Sequence, residues 1–164
     1  RGHHHEHIVR WLDAGICVFR VHSFDSRSVY SVVEDQMQVT HAMMLADCYQ
    51  ALRMLATHPS IDESRIGIAG WSLGGTVALY SAWEPIAESL APAGERFSAH
   101  LSFYPAAHMR TEVQRWSDRP ILALHGSDDD WVPLKLLEGL VEDLAPHDVD
   151  LRVQVYEGAP HSFD

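Results

Sequence analysis

A serine, a cluster of acids and a histidine in this chain have the types and order that nucleophilic acyl transfer needs. Ser72 stands in Gly70-Trp71-Ser72-Leu73-Gly74, a GxSxG pattern that follows the apolar run Arg65 to Ala69 and opens a helix-like stretch. A serine hydroxyl is a poor nucleophile until an imidazole takes its proton. The imidazole in turn needs a carboxylate to fix its tautomer and to stabilise its charged form. Downstream, Ser127-Asp128-Asp129-Asp130-Trp131-Val132-Pro133 supplies the acids, and Gly158-Ala159-Pro160-His161-Ser162-Phe163 supplies the histidine. Each segment lies just past a strand-like run, at the edge of a parallel sheet where catalytic loops gather. Of the 12 histidines, His161 alone combines that position with that order, while His125, before Gly126, reads as packing or a local hydrogen bond.

The turn around Ser72 has its own requirements. The hydroxyl must be lifted clear of the sheet, and the small Gly70 and Gly74 let the backbone cross itself closely enough to do so. The same turn leaves the backbone N–H of Leu73 at the start of the following helix, where it can donate to a developing oxyanion with help from the helix dipole.

Such a site needs a sheet beneath it, and the chain alternates short apolar runs with longer amphipathic ones, as in an α/β fold of parallel strands joined by crossover helices. The patterns predict strands at Ile16 to His22, Arg65 to Ala69, Ala99 to Tyr104, Pro120 to His125 and Leu151 to Tyr156, most of them continuous enough for a sheet covered on both faces. A long helix is predicted over Glu34 to Thr57, opened by a Ser31/Glu34 capping box and stopped before Pro59. Shorter helices are predicted at Gly75 to Trp83 and Pro133 to Leu144. Pro85 to Arg96 is less regular and reads as a surface excursion over the site. No repeat or linker divides residues 1–164, so they form one domain.

Composition excludes several partners. With 12 Lys+Arg against 23 Asp+Glu the net charge is −11, which repels nucleic acid and anionic membrane surfaces. No apolar run reaches the roughly 20 residues that span a bilayer, so the chain reads as soluble, its compartment open. Cys17 and Cys48 sit in apolar stretches and read as small buried hydrophobes. The opening Arg1-Gly2-His3-His4-His5-Glu6-His7 suggests a tag remnant or a metal pair at His3 and His7, but no third ligand follows nearby, and a polar helix start running into Ile8, Trp11 and Leu12 is the preferred reading.

These motifs together resemble the dienelactone hydrolases of the α/β-hydrolase superfamily. Trp11 to Ile16 looks like the family's helix before its fourth strand, Ser23 to Arg27 like the following loop, and Asp47 to Leu52 like the next helix. Gly126 to Pro133 is similar to the GxxDxxVP segment, which selects Asp129 among the three acids, and His161-Ser162-Phe163-Asp164 to the closing HxFD segment. The family's namesake enzymes carry cysteine in the turn, so with Ser72 this chain resembles the broader serine-type branch; His22 stands where relatives commonly carry an aspartate. Family members that handle carboxylated substrates use arginines near the pocket. On that basis Arg27 is a candidate carboxylate fork, with a tie to a neighbouring acid as its other reading. Trp71 and Trp131 are further candidates for binding substrate.

The resemblance implies hydrolysis of small ester or lactone substrates through an acyl-enzyme, with no cofactor or metal. A prolyl-oligopeptidase type of peptidase shows similar segments, although the short gap between Ser72 and Asp129 favours the first reading. A non-catalytic truncated domain is the other class. Relative to the family the chain lacks the first three strands and the final helix, and with them the loop that gives the second oxyanion N–H. Residues 1–164 alone are therefore expected to be a poor catalyst that self-associates through exposed apolar faces.

Overall fold

The computed structural model describes residues 3–164; Arg1, Gly2 and the side chain of His3, part of the histidine-rich opening, lie outside the described residues. The chain runs through α1 (His3–Asp13), α2 (His41–Ala56), β1 (Ile68–Trp71), α3 (Leu73–Tyr80), α4 (Glu84–Leu90), β2 (His100–Phe103), β3 (Ile121–Gly126), α5 (Lys135–Leu144) and β4 (Leu151–Tyr156). The strands form one parallel sheet in the order β1-β2-β3-β4. Each strand therefore ends at the same edge, and that edge receives the turn after β1 and the loops after β2, β3 and β4.

The two faces of the sheet are covered unequally. On one face Ile121 and Ala123 of β3 join Leu79 and Tyr80 of α3 and Leu137, Leu140 and Leu144 of α5 in a buried cluster. Beside it, Tyr49 and Leu52 of α2 pack with Ala87 of α4, Ala91 and Phe97. The Tyr49 hydroxyl donates to Ser81 O at 2.7 Å, so burying that ring leaves no unpaired polar atom. On the other face α1 lays His4, His7 and Trp11 against Trp71, while Leu122 stays exposed.

Four of the five expected strands form, Leu151 to Tyr156 with the expected bounds and the other three with ends moved by one to three residues. Ile16 to His22 does not. It joins no sheet among the described residues, with Ile16 54% and Phe19 51% exposed and, against expectation, Cys17 exposed as well. Its alternation is that of a strand, but a strand needs a neighbour, and among the described residues β1 pairs only with β2. Cys48 is partly buried as expected, and burial pushes its thiol up to about 12.

The long helix starts later than expected. Its cap is Thr40, whose hydroxyl accepts from Met43 N, rather than Ser31. Upstream, Ser31 Oγ accepts from Val33 N and Asp35 Oδ1 from Met37 N. These local turns compete with helix and leave Met37 exposed. Pro85 to Arg96 also differs from expectation. Glu84 to Leu90 is helical, packs on α2, and is pinned by a bidentate Arg96–Glu84 pair, so it belongs to the core rather than to a cover over the site. No helix of the described residues is long and apolar enough to cross a membrane.

Candidate active site

The turn between β1 and α3 holds Ser72 at φ 53° and ψ −112°, a conformation that a residue with a Cβ adopts only under constraint. The constraint is steric. A Cβ on Gly70 would run into the carbonyl of Gly74, so glycine is required where the chain doubles back. Ser72 N donates to Phe103 O at 3.0 Å, which fastens the turn to the end of β2. Leu73 is the first residue of α3, and the first N–H of a helix has no acceptor within it.

His161, from the loop after β4, places Nε2 3.0 Å from Ser72 Oγ and Nδ1 2.7 Å from Asp129 Oδ2. A carboxylate only accepts, so Nδ1 carries the hydrogen and Nε2 turns its lone pair to the serine hydroxyl. Asp129 is buried, and its other oxygen accepts from Trp131 N at 3.1 Å and Val132 N at 2.8 Å. Asp128 and Asp130 are exposed, and Asp128 accepts from the Ser127 hydroxyl. The three residues singled out in the sequence thus meet in one chain of hydrogen bonds.

The acid loop and the histidine loop are pressed together. A Cβ on Gly126 would meet the carbonyl of Ala159, and the approach is sealed by Ser127 N to Tyr156 O at 3.0 Å, Asp128 N to Ala159 O at 3.1 Å and Gly158 N to Ser127 Oγ at 2.7 Å. Behind them His125 is fully buried and donates from Nε2 to Val132 O at 2.8 Å, with Asp129 Oδ2 3.4 Å away. This is the local hydrogen bond read for His125 in the sequence, and it holds the carbonyl of the loop that presents the acid.

Aromatic rings surround the imidazole. Tyr104 meets it edge-on at 4.6 Å between centroids, and the indole of Trp131 lies along its other side. Trp71 does not face open space; it stacks on Phe103 at 4.9 Å, and its Nε1 donates to Asp164 Oδ2 at 2.7 Å. Arg27 is also engaged. Its guanidinium makes a bidentate pair with Asp47 at 2.6 and 2.9 Å and donates to Ser23 O at 2.7 Å, which favours the loop tie over the carboxylate fork. That pairing, through the hydrogen bond first, raises the Arg27 pKa and lowers that of Asp47. His22 lies 2.9 Å from Asp25 on the exposed surface. Among the described residues no group of three or more His, Cys, Asp or Glu is arranged to hold a metal, so His7 joins no such cluster.

The model of the dienelactone hydrolase family matches residues 20–164. The chain belongs to that family. It is 30% identical over 122 residues to a Bradyrhizobium protein described as "Probable 2-oxo-3-(5-oxofuran-2-ylidene)propanoate lactonase", covering 73% of this chain. The chain spans about half the length of that relative, 48%. A crystal structure from Klebsiella pneumoniae designated a dienelactone hydrolase superposes with a TM-score of 0.63 at 21% identity, over 85% of this chain and 61% of that one. Thermogutta terrifontis esterase 2 phosphorylated by paraoxon gives 0.61 at 22% identity, over 76% and 55%. The sheet and its helices are thus those of α/β-hydrolases. Within the dienelactone hydrolase family, the signal that sequence reasoning passed over is Asp164. It closes the HxFD segment and gathers three hydrogen bonds on its side chain.

Proposed function

We propose that this chain carries the catalytic residues of a serine hydrolase that cleaves ester or lactone bonds through an acyl-enzyme. The observation that supports this most is the continuous path Ser72 Oγ, His161 Nε2, His161 Nδ1, Asp129 Oδ2, at 3.0 and 2.7 Å. In this reading the Ser72 oxygen attacks the carbonyl carbon as its proton passes to His161 Nε2. The tetrahedral oxyanion takes a hydrogen bond from Leu73 N–H at the start of α3. Collapse expels the alkoxide, which receives the proton from His161, and the acyl group stays on Ser72. Water, deprotonated by the same nitrogen, then attacks the acyl carbon and releases the acid with Ser72 restored. Asp129 holds the tautomer and offsets the charge of the imidazolium. A lactone differs only in that its leaving alkoxide remains tethered to the acyl group.

The test uses the full-length gene product and a fluorophosphonate probe, since these trap a serine paired with a histidine. Labelling of Ser72, mapped by mass spectrometry, is expected. Ser72→Ala and His161→Ala are expected to lose about 10⁴-fold or more in kcat on p-nitrophenyl acetate. Asp129→Asn should also be severe, because its amide would face the N–H groups of Trp131, Val132 or His161, whereas Asp128→Asn and Asp130→Asn should be mild. Labelling elsewhere, or a larger loss from Asp130→Asn than from Asp129→Asn, would remove the assignment.

A further inference from the structure

Asp164 follows the loop that carries His161, and its side chain is only 6% exposed. Three groups from three separate elements converge on its carboxylate. Trp71 Nε1 reaches Oδ2 at 2.7 Å, Tyr104 Oη reaches Oδ1 at 2.8 Å, and His7 Nε2 of α1 reaches Oδ2 at 2.8 Å. All three are donors here, because a carboxylate can only accept. Burial, the largest single influence, would raise the Asp164 pKa, but the hydrogen bonds from Tyr104, Trp71, its own backbone N–H and His7 together outweigh it, and the group is held below the ordinary carboxylate value.

Two of these donors are neighbours of the reacting groups. Trp71 is the residue immediately before Ser72, so fixing its indole fixes the entry to the strained turn. Tyr104, at φ 39°, sits beyond the end of β2 and sets its ring edge against His161, while Phe163 packs on the same ring at 5.7 Å. Among the described residues, the His161 loop otherwise meets the Ser72 turn through the hydrogen bond between His161 Nε2 and Ser72 Oγ. We propose that Asp164 is a positioning residue that joins the nucleophile turn to the histidine loop, through Trp71 on one side and Tyr104 on the other. This rests on the reading of Ser72 and His161 as nucleophile and base.

The hydrogen-bond partners of its side chain among the described residues are His7, Trp71 and Tyr104 rather than Ser72, His161 or Asp129, so its effect is geometric. A displacement of about 1 Å between a nucleophile and its base can cost on the order of 10²-fold in rate without weakening substrate binding. An asparagine at 164 keeps the volume but turns an amide donor toward at least one existing donor.

The experiment measures kcat and KM on p-nitrophenyl acetate, and the rate of Ser72 labelling by the fluorophosphonate, for the full-length wild type, Asp164→Asn, Tyr104→Phe and the double variant. Asp164→Asn is expected to lower kcat and the labelling rate about 10- to 100-fold with KM within about twofold. Tyr104→Phe, which removes one hydroxyl and keeps the ring, should lose about 5- to 10-fold, and the double variant should be no worse than Asp164→Asn by more than about twofold. If Asp164→Asn does not fold, Trp71→Phe and Tyr104→Phe carry the test, each expected to lower kcat at constant KM. Losses that multiply, a loss confined to KM, or unchanged kcat would overturn the proposal while leaving Ser72 labelling in the wild type intact. A wild type that is neither labelled at Ser72 nor active would instead overturn the catalytic reading, and this inference with it.

Discussion

The indole of Trp131 lies nearly parallel to the imidazole of His161, with ring centroids 5.7 Å apart and 17° between their planes, yet Trp131 remains 73% exposed. An aromatic face left open beside the proposed base can pack against an apolar leaving group, and at this distance it can also stabilise an imidazolium by about 0.5–1 kcal/mol. Trp131→Ala is therefore expected to cost about two- to fivefold in kcat/KM, with a greater loss for aryl than for small alkyl esters. Steady-state kinetics on p-nitrophenyl and ethyl butyrate check this. Equal losses would leave Trp131 with packing of the imidazole alone.

The second prediction concerns Arg27, whose fork is occupied by Asp47. Arg27→Met is expected to lower Tm and to change KM for anionic and neutral esters by the same factor. A selective rise in KM for the anionic ester would restore the carboxylate-binding role. Since the pairing lowers the Asp47 pKa from its ordinary 3.8, the stability it contributes is present above that value and is lost as pH falls through the lower folded value.

A separate pH window belongs to His100. It is buried against Ser81, with Nδ1 2.9 Å from Ser81 Oγ and Nε2 without a partner among the described residues, and burial pushes its pKa from 6.5 down to about 4. Between those values the unfolded chain holds the extra proton and the folded one does not. Stability is therefore full above pH 6.5, falls as pH drops toward 4, and levels off below, a loss of up to about 3 kcal/mol. Thermal melts from pH 7 to 4 should show this slope in the wild type and a shallower one in His100→Asn.

The sheet face that α1 covers only in part, where Leu122 is exposed, and the outer edge of β1, unpaired among the described residues, predict association of the 164-residue polypeptide on its own. Its mass by light scattering is expected to exceed the 18.5 kDa of one chain, and Leu122→Glu with Phe19→Glu should bring it down. A stable monomer without those changes would contradict this.

What could be read from the sequence was what is decided locally. The Gly70–Gly74 turn, the run Leu151 to Tyr156 and the loops holding Asp129 and His161 each announce themselves within a few residues. Ile16 to His22 could not be judged this way, because its pattern fits a strand but its pairing depends on a neighbour elsewhere. Ser31 and Thr40 both look like helix caps. The choice between them follows from Asp35 turning the chain before the helix can begin. Asp164 was illegible for the opposite reason, since its donors stand 60, 93 and 157 positions away.

The close contact at Gly126 has a mechanical consequence. Because the loops bearing Asp129 and His161 are fastened backbone to backbone, acid and base travel as one piece, while Ser72 rides on the turn between β1 and α3. Relative motion of these two pieces would change the gap from imidazole to hydroxyl more than the distance from imidazole to carboxylate, and the proposed Asp164 link acts on that gap. In the proposed mechanism, the pair that stays fixed to hold the tautomer is the one tied through backbone, and the pair that exchanges a proton and then admits water is the one that is not.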